Sequence, residues 1–131
     1  MQAHFKRAIP RFAVAQAQRT IDFYTKLLRF EVAVSWPAEN PKFLILEHGS
    51  TRLAFDIVPG TLPQDLRSGN GFYLDTSNVR ALHEEIWPNV VVEWGPEVYS
   101  YGCREFAIRD PDGHLLIFTE VTSDPPTCTP E

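Results

Sequence analysis

Cysteine, histidine and basic residues are all scarce in this sequence of 131 residues. Two cysteines, Cys103 and Cys128, are too few for a disulfide framework, so a reduced, cytoplasmic protein is expected. Of the histidines, His4, His48, His83 and His114, no two have the i, i+4 or short-loop spacing that grips a metal ion. They read as solvated or capping side chains. Lysine and arginine number 12 against 17 acidic residues, a net charge of −5. That balance argues against a phosphate-gripping basic face, and no nucleic-acid partner is expected. The same balance suits a cationic small molecule, although mild acidity also serves solubility. No apolar run approaches the length of about 20 residues that crosses a bilayer. Met1–Arg7 lacks the apolar block of a signal peptide, so no membrane partner is expected. There is no Gly-x-Ser-x-Gly elbow and no glycine-rich phosphate loop. Cys103 precedes Arg104 with no histidine placed beside it, and reads as a small strand residue rather than a nucleophile.

What the chain has is aromatic surface and a doubled pattern. Ile9–Ala15 alternates and reads as a strand. From Ala17 to Arg29, the apolar residues Ile21, Tyr24, Leu27 and Leu28 share one face of a helix. Strands over Phe30–Trp36, Phe43–His48 and Arg52–Val58 follow, parted by Pro37–Pro41 and Gly49–Ser50. Residues 59–69 read as a linker. Gly71–Thr76 then opens the pattern again, and Ser77 or Asn78 can cap a helix striped by Val79, Leu82 and Ile86, which Pro88 ends. Val90–Trp94, Arg104–Ile108 and Leu115–Val121 are the last strands, with Asp110-Pro-Asp-Gly113 as a turn. The reading is α+β: two βαβββ modules, residues 8–58 and 70–121, forming one domain of 131 residues with a flexible tail from 122 to 131. Neither module covers its sheet alone. An offset of 62 residues carries Ile9 to Gly71 and Phe55 to Ile117.

Two stretches carry a resemblance. Ile21-Asp-Phe-Tyr-Thr-Lys-Leu-Leu-Arg-Phe30 and Tyr101-Gly-Cys-Arg-Glu-Phe-Ala-Ile-Arg-Asp-Pro-Asp-Gly-His114 resemble the glyoxalase/bleomycin-resistance/dioxygenase superfamily, the vicinal oxygen chelate fold. The second stretch is similar to the bleomycin-resistance branch. The resemblance implies a curled mixed sheet in each module, with helices on the convex side. It also implies, for the family's enzymes, a divalent metal held on the concave side from the first, fourth, fifth and eighth strands. Those positions fall on Ile9, Phe55, Gly71 and Ile117, none of which ligates through its side chain. No metal and no cofactor are therefore expected. A one-residue slip on the fourth strand would bring in Asp56 alone.

Alternation puts Arg11, Phe55, Tyr73, Asp75, Ile117 and Thr119 on the concave side if those positions mark it. The apolar ones among them also read as core. Trp36, Trp94, Tyr99 and Tyr101 sit at strand ends or in loops, as groove aromatics or as packing. The Tyr101 position, followed by Gly102, matches the aromatic that lines the family's drug groove. Asp56, Asp75 and Glu97 are carboxylates that can meet a cationic tail, or simply solvated charges. The expected ligand-binding set is Arg11, Trp36, Phe55, Asp56, Tyr73, Tyr101 and Gly102. The function implied is sequestration, without catalysis, of a planar and cationic natural product of bleomycin or peptide-antibiotic type. A homodimer with interfacial grooves is implied with it. A metal-dependent lyase or dioxygenase with displaced ligands is the alternative, and an accessory module binding another ligand in a biosynthetic pathway is a third reading.

Overall fold

Strand, helix and three strands follow one another twice along the chain, as the periodicity predicts. The computed structural model describes residues 1–63 and 71–128. It divides into two compact units, Met1–Leu62 and Pro63–Glu131. From residue 64 onward, the expected linker lies outside the described residues.

In the first unit β1 (Arg11–Val14) leads to α1 (Ala17–Asp22), which runs on as a π-helical turn, Phe23–Leu27. Strands β2 (Glu31–Trp36), β3 (Phe43–His48) and β4 (Thr51–Ile57) complete it. The sheet order is β1-β4-β3-β2, with β1 parallel to β4 and the other pairs antiparallel. The helical segment is pinned to this sheet by one aromatic stack. Tyr24 and Phe55 are both fully buried, with ring centroids 5.0 Å apart, and Phe12 packs on Phe55 at 5.8 Å. The helix expected to reach Arg29 stops sooner. Phe30 N–H closes back on the Tyr24 carbonyl at 2.9 Å, and Arg29 takes a positive φ of 61° in the reversal.

The second unit repeats the plan with β5 (Gly71–Asp75), α2 (Val79–Ile86), β6 (Val92–Tyr99), β7 (Cys103–Arg109) and β8 (Leu115–Val121). Its order is β5-β8-β7-β6, with β5 parallel to β8. Asn78 caps α2: its Oδ1 accepts from the Ala81 N–H at 3.0 Å, as capping asparagines do. His83 meets Phe106 edge-on at 5.3 Å, and Phe106 packs on Phe118 at 4.9 Å. These contacts set the helix side of the sheet. Both sheets are open and mixed, so the α+β expectation holds.

Strand β6 runs five residues beyond its expected end at Trp94. It continues through Gly95 and Pro96, which it absorbs as breaks in register between Val92, Trp94 and Glu97. The tail expected to be flexible from residue 122 is held as far as Cys128. Buried Arg104 pairs with Asp124, and Thr127 N–H donates to the Val98 carbonyl at 2.8 Å. Residues 129–131 lie outside the described residues.

Candidate functional site

Directly paired residues point to the same side of a sheet, so the strand registers sort every expected site residue by face. In the first unit Phe12 pairs with Phe55 and Leu44 with Phe55, all on the side packed by Tyr24. Phe55 is therefore core, and its expected place on the ligand side is corrected. The offset of 62 is right for β1 against β5 but one residue short for β4 against β8. Arg11 pairs with Ala54 while Tyr73 pairs with Ile117, so Ala54 is the counterpart of Ile117. Sequence alone gave no signal for this slip, since both registers bury an apolar residue.

The helix-free face of the first unit carries the cross-strand row Ala13, Asp56, Phe43 and Trp36. Asp56 is already engaged: Arg11 Nε donates to one carboxylate oxygen at 2.5 Å and an Arg11 terminal N–H to the other at 3.1 Å. The guanidinium is raised further above its ordinary range by this hydrogen bond and charge, so it stays protonated. Arg52 and Glu47 pair on the same face at 3.0 Å. Trp36, at the outer end of the row, is 66% exposed and offers an open ring.

The helix-free face of the second unit is built differently. Four rows cross it: Gly71, Leu115 and Arg109; then Tyr73, Ile117, Ala107 and Trp94; then Asp75, Thr119, Glu105 and Glu97; then Val121, Cys103 and Tyr99. Tyr101, in the turn between β6 and β7, folds back over this surface. Its ring stacks on Tyr99 with centroids 5.6 Å apart and planes 6° apart, and Trp94 meets Tyr99 edge-on at 5.9 Å. Gly102 makes that turn with φ 84°, and its N–H donates to the Tyr99 carbonyl at 3.0 Å. Among the expected residues, Tyr73 and Tyr101 share this face, each 62% exposed. Trp36, Arg11 and Asp56 belong to the first unit.

Glu105, within the Tyr101–His114 stretch, organises the surface. It is 2% exposed, accepting from the Tyr101 hydroxyl at 2.6 Å on one oxygen and from the Thr119 hydroxyl at 2.8 Å on the other. Although the Tyr101 ring is exposed, its hydroxyl is turned inward. Lost hydration there, the hydrogen bond to Glu105 and the nearby carboxylate push the phenol well above its ordinary value of 10.0. It is a fixed donor at physiological pH. Alternation puts Glu105 and Thr119 each on a face of its strand, but only the register of β7 against β8 makes them partners.

The donor set for the divalent metal of the superfamily's enzymes does not fit. On the helix-free faces the four relevant strands offer Arg11 and Ala13, Ala54 and Asp56, Gly71, Tyr73 and Asp75, and Ile117 and Thr119, so the only carboxylates among them are Asp56 and Asp75, one in each unit. Asp56 is bound to Arg11. Gly71 has no room for any ligand side chain, since a Cβ there would meet the Leu115 carbonyl oxygen and Cβ at 2.9 Å. Among the described residues no three His, Cys, Asp or Glu side chains are grouped to hold a metal ion. No described helix is long and apolar enough to cross a membrane.

The sequence profile described as the Glyoxalase/Bleomycin resistance protein/Dioxygenase superfamily matches residues 3–118. No curated protein sequence matches. Among solved structures, the bleomycin-binding protein of bleomycin-producing Streptomyces verticillus, complexed with copper(II)-bleomycin, is similar with a TM-score of 0.70 at 21% identity. The alignment covers 94% of this chain and 100% of that one. An antibiotic-binding protein from Streptomyces sp. CB03234 gives 0.65 at 21% identity, over 92% and 100% of the two chains. A virulence protein from Salmonella typhimurium gives 0.68 at 22%, over 92% and 100%. At these identities the structural likeness speaks for the fold. With the profile spanning nearly the whole chain and two open βαβββ sheets beneath it, this chain belongs to the glyoxalase/bleomycin resistance protein/dioxygenase superfamily.

Proposed function

We propose that this protein binds and sequesters a planar, cationic natural product of bleomycin or peptide-antibiotic type, as a homodimer and without catalysing a reaction on it. The observation that carries the reading is the aromatic, helix-free face of the second unit. Four rings, Tyr73, Trp94, Tyr99 and Tyr101, gather there around an acidic row, and two of them remain 62% exposed. Exposed π-faces stack on flat heteroaromatic groups, and each such stack is worth about 1–3 kcal/mol. Trp36, on the first unit's own helix-free face, is a further exposed ring. Sequestration needs affinity and abundance alone. That agrees with strands whose ligand positions hold Gly71, Ala54 and Ile117 instead of metal donors. The solved relatives described as binding bleomycin and an antibiotic support the ligand class.

Titration of the wild type, Trp36→Ala and Tyr101→Ala with a bleomycin-type glycopeptide tests the proposal. Loss of either stacking ring should weaken binding about five- to 150-fold, the equivalent of about 1–3 kcal/mol. Unchanged affinity in both variants removes these rings from the site. Failure of the wild type to bind any planar cationic drug overturns the function.

A further inference from the structure

The two units differ in how their carboxylates are balanced. On the first unit's helix-free face Asp56 and Glu47 each have an arginine partner, at 2.5 and 3.0 Å, which also offsets the charge of Glu31 opposite Glu47. On the second unit's face the central row is Asp75, Thr119, Glu105 and Glu97, and the rows beside it contain no Lys, Arg or His. Glu97 and Glu105 stand directly opposite each other across β6 and β7, an arrangement of like charge that by itself destabilises a sheet. The arginines of β7 are spent elsewhere: Arg104 on Glu120 and Asp124, Arg109 on Glu93. Buried Glu105 is thus held by two neutral hydroxyls, from Tyr101 and Thr119, with no ion partner among the described residues. The two hydroxyls satisfy hydrogen bonds of this carboxylate but bring no positive charge to it. Tyr101 and Tyr73, each 62% exposed, lie on the same face: Tyr101 donates to Glu105, and Tyr73 stands on β5 in the neighbouring row, close enough to act on the Tyr101 phenol.

We propose that the helix-free face of the second unit is a cation box, in which a protonated amine or quaternary ammonium sits against the open faces of Tyr73 and Tyr101 with Glu105 and Glu97 as its countercharge. Electron-rich ring faces attract a cation most where water is excluded, and a carboxylate fixed beneath them adds a charge that needs no reorganisation. The Tyr101 hydroxyl, hydrogen-bonded to Glu105, makes its ring more electron-rich and fixes its orientation. The face has no such use for an anion or for a neutral ring alone. In the first unit Arg11 and Arg52 already stand against the carboxylates of Asp56 and Glu47. This inference rests on the proposed binding function and locates the cationic part of the ligand within it.

The experiment uses choline and its neutral isostere 3,3-dimethylbutan-1-ol as probes, titrated against the whole chain by NMR of the tyrosine rings. Choline should bind at least about tenfold tighter than the alcohol in the wild type. Glu105→Gln, which keeps shape and acceptor but removes charge, should bring the two probes to parity. Asp75→Asn and Glu97→Gln sit nearer the surface, and each should narrow the preference about two- to fivefold. Their results stand if Glu105→Gln fails to fold by thermal melting. Equal binding of the two probes to the wild type overturns the cation box. So does an undiminished choline preference in the folded charge-removing variants. A bleomycin-type drug is titrated in parallel. If the drug binds but with the same affinity in Glu105→Gln, the box falls and sequestration stands. If the choline preference holds while no drug binds, sequestration falls and the box stands.

Discussion

Phe55 gives the sharpest test of how the faces are assigned. By alternation from the sequence it belongs on the ligand side; in the structure it is fully buried between Tyr24 at 5.0 Å and Phe12 at 5.8 Å. Truncation to alanine removes a whole ring from a fully packed site. The lost transfer free energy and the residual cavity together cost about 3–5 kcal/mol for Phe→Ala in a core. Against the total stability of about 5–15 kcal/mol typical of a domain, that is a large fraction. The melting temperature should fall by about 10–20 °C, at a few degrees per kcal/mol for a chain of this size. Trp36→Ala is the control. Its ring is 66% exposed, so folding should change by about 0.5 kcal/mol or less. Urea unfolding followed by far-ultraviolet circular dichroism measures both, and drug titration of the folded variants completes the comparison. Phe55→Ala should unfold early yet bind normally where folded. A Phe55→Ala variant that keeps its stability within about 1 kcal/mol of wild type but loses drug binding refutes the assignment of faces, and with it the corrected register of β4.

Gly95→Ala should destabilise by at least about 2 kcal/mol, because φ is +79° and the added Cβ would meet the Glu105 carbonyl oxygen at 2.2 Å; chemical denaturation reads it. Gly71→His should create no metal site and should lower stability, since the Leu115 backbone occupies its space; isothermal titration with zinc and a thermal melt check both halves. The Tyr101 and Tyr99 phenols are raised in the folded state, so their contribution is complete below the ordinary value of 10.0 and is lost as pH climbs past it. Tyrosinate absorbance against pH should therefore show a late component that Tyr101→Phe removes, and stability should decline on the alkaline side. Val34, Trp36, Tyr73 and Val121 are exposed apolar residues on helix-free faces, the mark of an interface, so light scattering should return about twice the chain mass of 14.9 kDa.

The sequence by itself determined the element order, the fold class and the family, because those depend on local periodicity, on turn residues and on a contiguous motif. Phe12 and Val14 against Arg11 and Ala13 sort correctly from alternation alone. So do Leu116 and Phe118 against Ile117 and Thr119, since a strand's period of two leaves no other choice. Where propensity misled, a neighbour in space had overruled it. The strand read as ending at Trp94 runs on to Tyr99 along β7, whose backbone comes so close at position 95 that only glycine fits there. Tertiary structure alone decided how one strand registers against another. That put Phe55 under Tyr24 and Asp56 in the grip of Arg11, two residues whose chemistry made them equally good ligand contacts on paper. It also brought Glu105, from the middle of β7, under the hydroxyls of Tyr101 and Thr119, four and fourteen positions away in the chain. Periodicity assigns a residue to a face; only the pairing of strands says what it meets there, and the carboxylate's chemistry is set by those partners.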